Sequence, residues 1–256
     1  MGKIIAVHSY KGGTGKTLLS INLAALYANR GKSICLLDLD FRAPSLQAIF
    51  KVRDVEYWIN DYLNGVCDIK KVLKDLSMTH VRRGRFFVGL ANPSTEAIRE
   101  MTAKDRKWEM KALGRLLSLK TSLINDMQFD YVIFDTSPGL QYSSINAIVS
   151  SDVALVVSGT DISDIRGTKR MIEELYELFE KKTGLIMNKV LAEVLALIAD
   201  MDPVYRPERP APADSEDERL WEDATAFGAA LDKLFDRHMG RKAAKAGRRR
   251  SGIWLG

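Results

Sequence analysis

Short apolar runs alternate with longer stretches of helical periodicity through most of this chain. The short runs are rich in Val, Ile, Leu and Phe, and such runs predict buried β-strands. The longer stretches space their apolar residues three and four positions apart, as an amphipathic helix does. We predict strands over residues 3–8, 33–38, 85–91, 130–135, 152–158 and 184–188, and helices over residues 16–29, 44–50, 55–63, 107–127, 142–150 and 164–181.

The alternation of strands and helices favours one architecture. Parallel strands need long crossovers between them, and the crossover helices cover both faces of the sheet. The predicted fold class is therefore α/β, with a doubly wound, mostly parallel sheet and helices on both faces. Residues 29–31 and 181–184 combine cations with a glycine, which is typical of helix C-termini.

The last quarter of the chain has a different composition. Residues 203–212 contain four prolines, residues 214–218 are acidic, and residues 220–239 carry an apolar stripe with helical spacing. We expect a main domain over residues 1–198, with a candidate final strand at 194–198. Residues 199–239 would form a Pro-rich, acidic connection and a C-terminal helix packed on the same domain, and residues 240–256 a flexible basic tail.

The overall composition indicates a globular protein. The chain has 256 residues, of which 46% are hydrophobic and 28% charged, and this suits one large α/β domain. Its apolar runs fall short of the roughly 18 residues that span a bilayer, and no signal-peptide pattern is present, so we expect a cytoplasmic protein. Cys35 and Cys67 are far apart and the histidines are scattered. We predict neither a disulfide nor a zinc site, and no Ser/His/Asp arrangement is indicated.

The segment between the first strand and the first helix carries the clearest chemistry. Residues 11–17 read Lys-Gly-Gly-Thr-Gly-Lys-Thr. The glycines allow the backbone N–H groups to turn toward a polyphosphate, and the following helix presents its positive end. Lys16 can reach the outer phosphates, and the Thr17 hydroxyl can bind Mg²⁺. The predicted phosphate-binding residues are Gly12, Gly13, Thr14, Gly15, Lys16, Thr17 and Leu18.

Carboxylates follow two of the predicted strands. Asp38 and Asp40 lie where the second strand ends, and residues two apart on extended chain share a direction, so both could face a terminal phosphate. Asp135 ends a later strand and precedes the turn Thr-Ser-Pro-Gly. A carboxylate just past a buried strand can hold Mg²⁺ directly or through water, as phosphoryl-transfer sites require.

The loop departs from the standard pattern G-x-x-x-x-G-K-[ST], because Tyr10 stands where the first glycine is expected. Lys11 to Thr17 resembles the deviant Walker A loop of the MinD/ParA family of P-loop ATPases, in which the lysine at the position of Lys11 is a signature. The resemblance covers about residues 1–190. It implies a fold of the P-loop NTPase type, ATP and Mg²⁺ as ligands, a homodimer when ATP is bound, and a Lys11 that acts in trans on the partner's phosphates.

The resemblance also assigns roles to individual residues. It implies that Asp40 orients or activates the attacking water and that Asp38 supports the water shell of Mg²⁺. Residues 184–189 are similar to a family strand that ends in Asn-Lys, which implies that Asn188 recognises adenine through its amide. The predicted catalytic residues are Lys11, Lys16 and Asp40, and the predicted metal-binding residues are Thr17, Asp38 and Asp135.

The same resemblance implies a function. It implies a hydrolase that converts ATP to ADP and phosphate with low basal activity. The turn at residues 136–139 is similar to that of MinD-like members, which favours an ATP-driven dimerising switch that places a division site, an organelle or a polar structure. An activator protein is also expected. The alternative is a ParA-like partition ATPase that binds nonspecific DNA.

Much of the net charge of +5 lies near the C-terminus. A basic tail favours anionic surfaces. Two such surfaces remain as alternatives, which are the inner face of a membrane, contacted peripherally, and DNA, contacted nonspecifically. The apolar residues 253–255 beside the cations favour the membrane, and a solvated tail without a ligand is the third possibility. The cations after Asp236 are Arg237, Arg241, Lys242, Lys245, Arg248, Arg249 and Arg250.

Overall fold

The computed structural model describes residues 2–176 and 179–189. The strands in this part of the chain are β1 (Lys3–His8), β2 (Ser33–Leu39), β3 (Leu73–Asp75), β4 (Arg85–Gly89), β5 (Tyr131–Thr136), β6 (Val153–Ser158) and β7 (Lys182–Met187). They form one sheet in the order β3-β4-β2-β5-β1-β6-β7. The strand, connection, helix and tail predicted within residues 190–256 lie outside the described residues.

Helices connect the strands. They are α1 (Lys16–Asn29), α2 (Leu46–Phe50), α3 (Ile59–Asn64), α4 (Ile69–Val72), α5 (Ser77–His80), α6 (Thr95–Thr102), α7 (Arg106–Leu119), α8 (Tyr142–Ser150) and α9 (Ile162–Met171). Two of them continue as π-helical segments, α7 over Lys120–Asp126 and α9 over Ile172–Tyr176.

The predicted fold class is confirmed. Strand β1 pairs in parallel with β5 and β6, and β2 pairs in parallel with β4 and β5. Helices α1 and α8 both pack against β1, whose residues from Ile4 to Val7 are completely buried. Strands β1, β2, β5 and β6 are almost completely buried, and strands buried on both faces have continuous apolar sequences that are readable in advance.

Several short elements have no counterpart in the prediction. Strand β3 pairs antiparallel with β4 at the edge of the sheet and is only three residues long, too short to show a period. Helix α6 begins after Ser94, whose hydroxyl accepts from the N–H of Ala97, and α4 begins after Asp68, which accepts from Lys70. Both are standard N-cap residues, so these helix starts had a signal in the sequence.

The helix C-terminus predicted over residues 181–184 is wrong, because Lys182 to Gly184 belong to β7. The preceding helical segment runs to Tyr176, and β7 already begins at Lys182. The cation of Lys181 donates instead to the carbonyl oxygens of Val149 and Ser151, over 2.6 and 2.7 Å. These carbonyls lie at the C-terminal end of α8, so Lys181 satisfies the end of a different helix.

The carboxyl ends of β1, β2 and β5 meet at one edge of the sheet. In the register, Asp135 of β5 lies opposite Val7 on one side and Asp38 on the other. Open α/β sheets bind their ligands at this edge. Among the described residues, no helix has both the length and the apolarity needed to cross a membrane.

Candidate functional site

The loop between β1 and α1 has the backbone that phosphate binding needs. Gly13 and Gly15 have φ angles of 76° and 96°, in the left-handed region that favours glycine. Gly15 stands at the N-cap of α1, where no side chain caps the helix and the first turn contains no acid. The first N–H groups of α1 therefore remain available to an anion, together with the positive end of the helix dipole.

Lys16 is buried at the start of α1, with 6% of its surface exposed. Burial lowers the pKa of Lys16, whereas the charges of Asp135, Asp40 and Asp164 raise it. The structure therefore brings Lys16 together with two of the predicted acids, Asp40 and Asp135. It adds Asp164, an inward-facing residue of α9 whose proximity to the loop depends on the packing of distant segments.

Asp135 fits the role of a metal ligand. Its Oδ1 accepts from the hydroxyl of Ser20 over 3.1 Å, and its buried Oδ2 has no hydrogen-bond partner among the described residues. Burial raises the pKa of Asp135 to about 6. The hydroxyls of Thr17 and Ser20 and the charge of Lys16 lower the pKa but do not offset the effect of burial. A buried carboxylate oxygen without a partner, beside the Thr17 hydroxyl, suits a hard cation such as Mg²⁺.

Asp38 is engaged by the backbone. Its Oδ1 accepts from the N–H of Asp40 over 3.1 Å, and its Oδ2 accepts from the N–H of Leu46 over 3.3 Å. Burial and the neighbouring charge of Asp135 raise the pKa of Asp38. The two hydrogen bonds lower it, but the net effect is a raised pKa. The side chain therefore holds the segment after β2 and the first residue of α2 in place. Its part in the water shell of Mg²⁺ stays a prediction.

Asp40 contacts the turn that follows β5. The hydroxyl of Ser137 donates to Asp40 Oδ1 over 2.7 Å, and the N–H groups of Arg42 and Ala43 approach the same oxygen at 3.3 and 3.2 Å. Asp40 is only partly buried. The predicted water-orienting acid is thus fixed to the turn at residues 136–139, a contact that the sequence did not indicate.

His8 links the same turn to the end of β1. Its Nδ1 lies 2.8 Å from Thr136 Oγ1, and that hydroxyl donates to the carbonyl oxygen of Val7 over 2.9 Å. Because the hydroxyl proton is used there, we assign the donor role in the first contact to His8 Nδ1. Burial and the charge of Lys16 lower the pKa of His8 to about 3, so the buried ring is neutral.

The side chain of Lys11 is bound by another element. Its Nζ lies 2.9 Å from Asp161 Oδ2 and also donates to the Ser163 hydroxyl, at the beginning of α9. Asp161 is the N-cap of α9 and accepts from the N–H of Ser163. The two lysines of the loop are therefore held differently, since Lys16 faces the acids at the strand ends and Lys11 is bound at the start of α9.

Asn188 contacts the loop rather than open space. Its Nδ2 donates to the carbonyl oxygen of Thr14 over 2.8 Å, and a Cβ added to Gly15 would overlap the same amide group. The backbone N–H of Asn188 also donates to Ser158 at the end of β6. The residue after β7 thus supports the phosphate-binding loop. Recognition of adenine by Asn188 stays a prediction.

Two other predicted residues lie at the margin of the loop. A Cβ added to Gly12 would lie 3.8 Å from Pro138, so Gly12 faces the turn after β5. Leu18 is 58% exposed in the first turn of α1, and its contribution to nucleotide binding stays a prediction.

The arrangement defines a class of protein. A glycine-rich loop joins a buried parallel strand to an uncapped helix, and an acid ends the neighbouring strand, as in P-loop nucleotide-binding proteins. A family model described as an AAA domain matches residues 2–191. The chain is 30% identical over 199 residues to the septum site-determining protein MinD of Synechocystis sp., covering 77% of this chain and 68% of that protein.

A second relative and a solved structure agree with this match. The sporulation initiation inhibitor protein Soj of Bacillus subtilis is 28% identical over 199 residues, covering 76% of this chain and 74% of that protein. MinD of Pyrococcus horikoshii, solved in complex with Mg-ADP, shares the fold with a TM-score of 0.59 at 23% identity, over 73% of this chain and 70% of that one. The chain belongs to the MinD/ParA family of P-loop ATPases.

Proposed function

We propose that the chain is a Mg²⁺-dependent ATPase that works as an ATP-driven dimerising switch, with low basal turnover. The observation that carries the proposal is the position of the Lys11 ammonium group. It is bound by Asp161 and Ser163 at the surface, although Lys11 belongs to the phosphate-binding loop. A cation held at the rim of the loop by exposed groups is well suited to exchange that contact for the phosphates of a second subunit.

The surface around the loop supports a second copy as the partner. Large apolar side chains are exposed just after the turn at residues 136–139 and at the beginning of α9. Exposed apolar side chains beside a binding site favour protein association. The side chains are Leu140, Tyr142, Ile162 and Ile165, with exposed fractions between 39% and 67%.

The residues of the site would share the work of phosphoryl transfer. Catalysis in such sites consists of positioning and charge stabilisation, so Lys16 and the partner's Lys11 would stabilise the charge on the transferred group. Asp40, fixed by Ser137, would orient the attacking water. When bound, Mg²⁺ would neutralise phosphate charge, and Thr17 and Asp135 are the residues that would hold it.

The dimer can be tested through the concentration dependence of hydrolysis. We expect ATP turnover per chain to rise with protein concentration and then to level off as dimers form. Monomers should be slower by something on the order of 10³-fold, if the lysine acts as an arginine finger does. Sedimentation in ATP and in ADP should show the dimer in ATP only. Turnover per chain that stays constant while the sedimenting mass doubles would rule out the trans arrangement.

The cellular role proposed is the positioning of a structure inside the cell, with an activator protein that stimulates hydrolysis. DNA partition is the second candidate, because the cations after Asp236 suit the phosphate backbone of DNA as well as an anionic membrane. ATP turnover and cosedimentation should be measured in parallel with anionic liposomes and with duplex DNA at stated salt. Stimulation by liposomes supports the first role, and stimulation by DNA alone supports the second.

A further inference from the structure

The ring of Tyr10 lies against the backbone of α9 at Gly167. A Cβ added to Gly167 would overlap three carbon atoms of the Tyr10 ring, so no other residue fits there without moving the ring. Gly167 has an ordinary helical φ, and glycine weakens the interior of a helix. The close approach of Tyr10 supplies a physical reason for glycine at this position.

Another helical glycine shows the contrast. Gly114 lies inside α7, and a Cβ added there would meet no atom within 4 Å. The steric restriction at Gly167 therefore comes from Tyr10 and not from helix packing in general. This difference provides a matched pair of glycines for experiment.

Tyr10 stands at the junction of three segments. Its ring contacts α9, and its carbonyl oxygen lies 3.7 Å from the position that a Cβ on Gly139 would occupy. The N–H of Gly139 donates to the carbonyl oxygen of Ser9 over 2.9 Å. The start of the loop is thus fixed both to α9 and to the turn after β5. Lys11, the next residue, is bound at the first turn of the same helix α9.

We propose that Tyr10 is a positioning residue for Lys11. With its ring seated on Gly167, the backbone at the start of the loop stays in place when the Lys11 side chain leaves Asp161 and Ser163. Lys11 can then reach a second subunit by side-chain rotation alone, without a shift of the backbone at residues 10 and 11. The inference rests on the proposed dimerising function, and it explains why an aromatic residue can replace the first glycine of the standard loop.

The test uses variants on both sides of the contact. Tyr10→Ala removes the ring, Tyr10→Phe keeps it, Gly167→Ala displaces it, and Gly114→Ala controls for a glycine replacement in a helix. Affinity for ATP is measured at a protein concentration low enough to keep the chain monomeric. The dissociation constant of the ATP-bound dimer is measured by sedimentation. Thermal unfolding of each variant accompanies both measurements.

We expect Tyr10→Ala and Gly167→Ala to bind ATP within about twofold of the wild type and to weaken the dimer about tenfold or more. Tyr10→Phe and Gly114→Ala should dimerise normally. The double variant Tyr10→Ala, Gly167→Ala should be no worse than Tyr10→Ala alone, because the added methyl group then has no ring to displace.

Other results would contradict the positioning role of Tyr10 or the dimerising function. Three results would overturn the positioning role while leaving the dimerising function intact. They are additive losses in the double variant, normal dimerisation of Tyr10→Ala, and an equal loss of ATP affinity and dimerisation. A wild-type chain that stays monomeric in ATP would overturn the dimerising function and this inference together.

Discussion

The ammonium group of Lys11 lies 2.9 Å from Asp161 Oδ2, although the two residues are 150 positions apart in the sequence. The hydrogen bond from Lys11, with a smaller contribution from Ser163, lowers the pKa of Asp161 to about 2. Both side chains are largely exposed, 41% and 59%, and exposed ion pairs stabilise proteins little. The pair can therefore orient Lys11 in the single chain and still be exchanged for a stronger contact with phosphate.

Asp161→Asn should favour the ATP-bound dimer. The amide keeps a side-chain oxygen for the N-cap of α9, but the charge that holds Lys11 is gone. We expect the dimer to form at a protein concentration about two- to fivefold lower in ATP, measured by sedimentation. Asp105→Asn, at the N-cap of α7, is the control. A dimer weakened in Asp161→Asn alone would show that Asp161 supports association instead.

Ser137→Ala should slow hydrolysis more than binding. The Ser137 hydroxyl donates to Asp40 over 2.7 Å, and a hydrogen bond to a charged group contributes about 1.5–3 kcal/mol. Without it we expect ATP turnover at saturation to fall by roughly tenfold or more, with ATP affinity nearly unchanged. Ser144→Ala, which removes a hydroxyl that donates to the backbone carbonyl of Ser137, serves as the comparison. Equal losses of affinity and turnover would contradict this role.

Asn188→Ala should weaken the binding of ATP and ADP to the same extent. The amide supports the loop through the carbonyl oxygen of Thr14, and this support does not depend on the third phosphate. We expect affinities lower by about three- to tenfold, measured by calorimetry. GTP is measured alongside. A loss for adenine nucleotides only would establish base recognition, and an unchanged affinity would remove Asn188 from the site.

The inner strands β1, β2, β5 and β6 could be predicted because they are covered on both faces and are therefore continuously apolar. The phosphate-binding loop is contiguous, and Asp135 ends a clear strand, so both were visible along the chain. The sequence did not predict that Lys11 contacts Asp161 or that Lys16 lies near Asp164. Those contacts arise where the end of β6 and the beginning of α9 pack beside the loop, and local sequence does not specify that packing.

The buried His8 predicts a pH dependence of stability. Its pKa is about 3 in the folded chain and 6.5 in the unfolded chain, so the unfolded state binds the proton first. The contribution of His8 to the free energy of unfolding is fully present above pH 6.5 and is lost as the pH falls toward 3. Between pH 7 and pH 5 the free energy of unfolding should fall by about 2 kcal/mol more than in His8→Asn.

The measurement uses chemical denaturation of both proteins at the two pH values. His8→Asn keeps a donor near Thr136 but does not titrate in this range. The difference between the proteins removes the contribution of the carboxylates that they share. An equal pH dependence in wild type and variant would show that His8 is not held neutral in the folded chain.

Sedimentation of Lys11→Ala in ATP tests whether Lys11 holds the ATP-bound dimer together. The substitution leaves Gly12 to Thr17 and Lys16 in place, so ATP should still bind within about twofold of the wild-type affinity. Lys169→Ala, which removes an exposed lysine on α9, is the matched control. We expect an ATP-dependent dimer for the wild type and for Lys169→Ala, and a monomer for Lys11→Ala. A normal ATP-bound dimer of Lys11→Ala would contradict this role of Lys11.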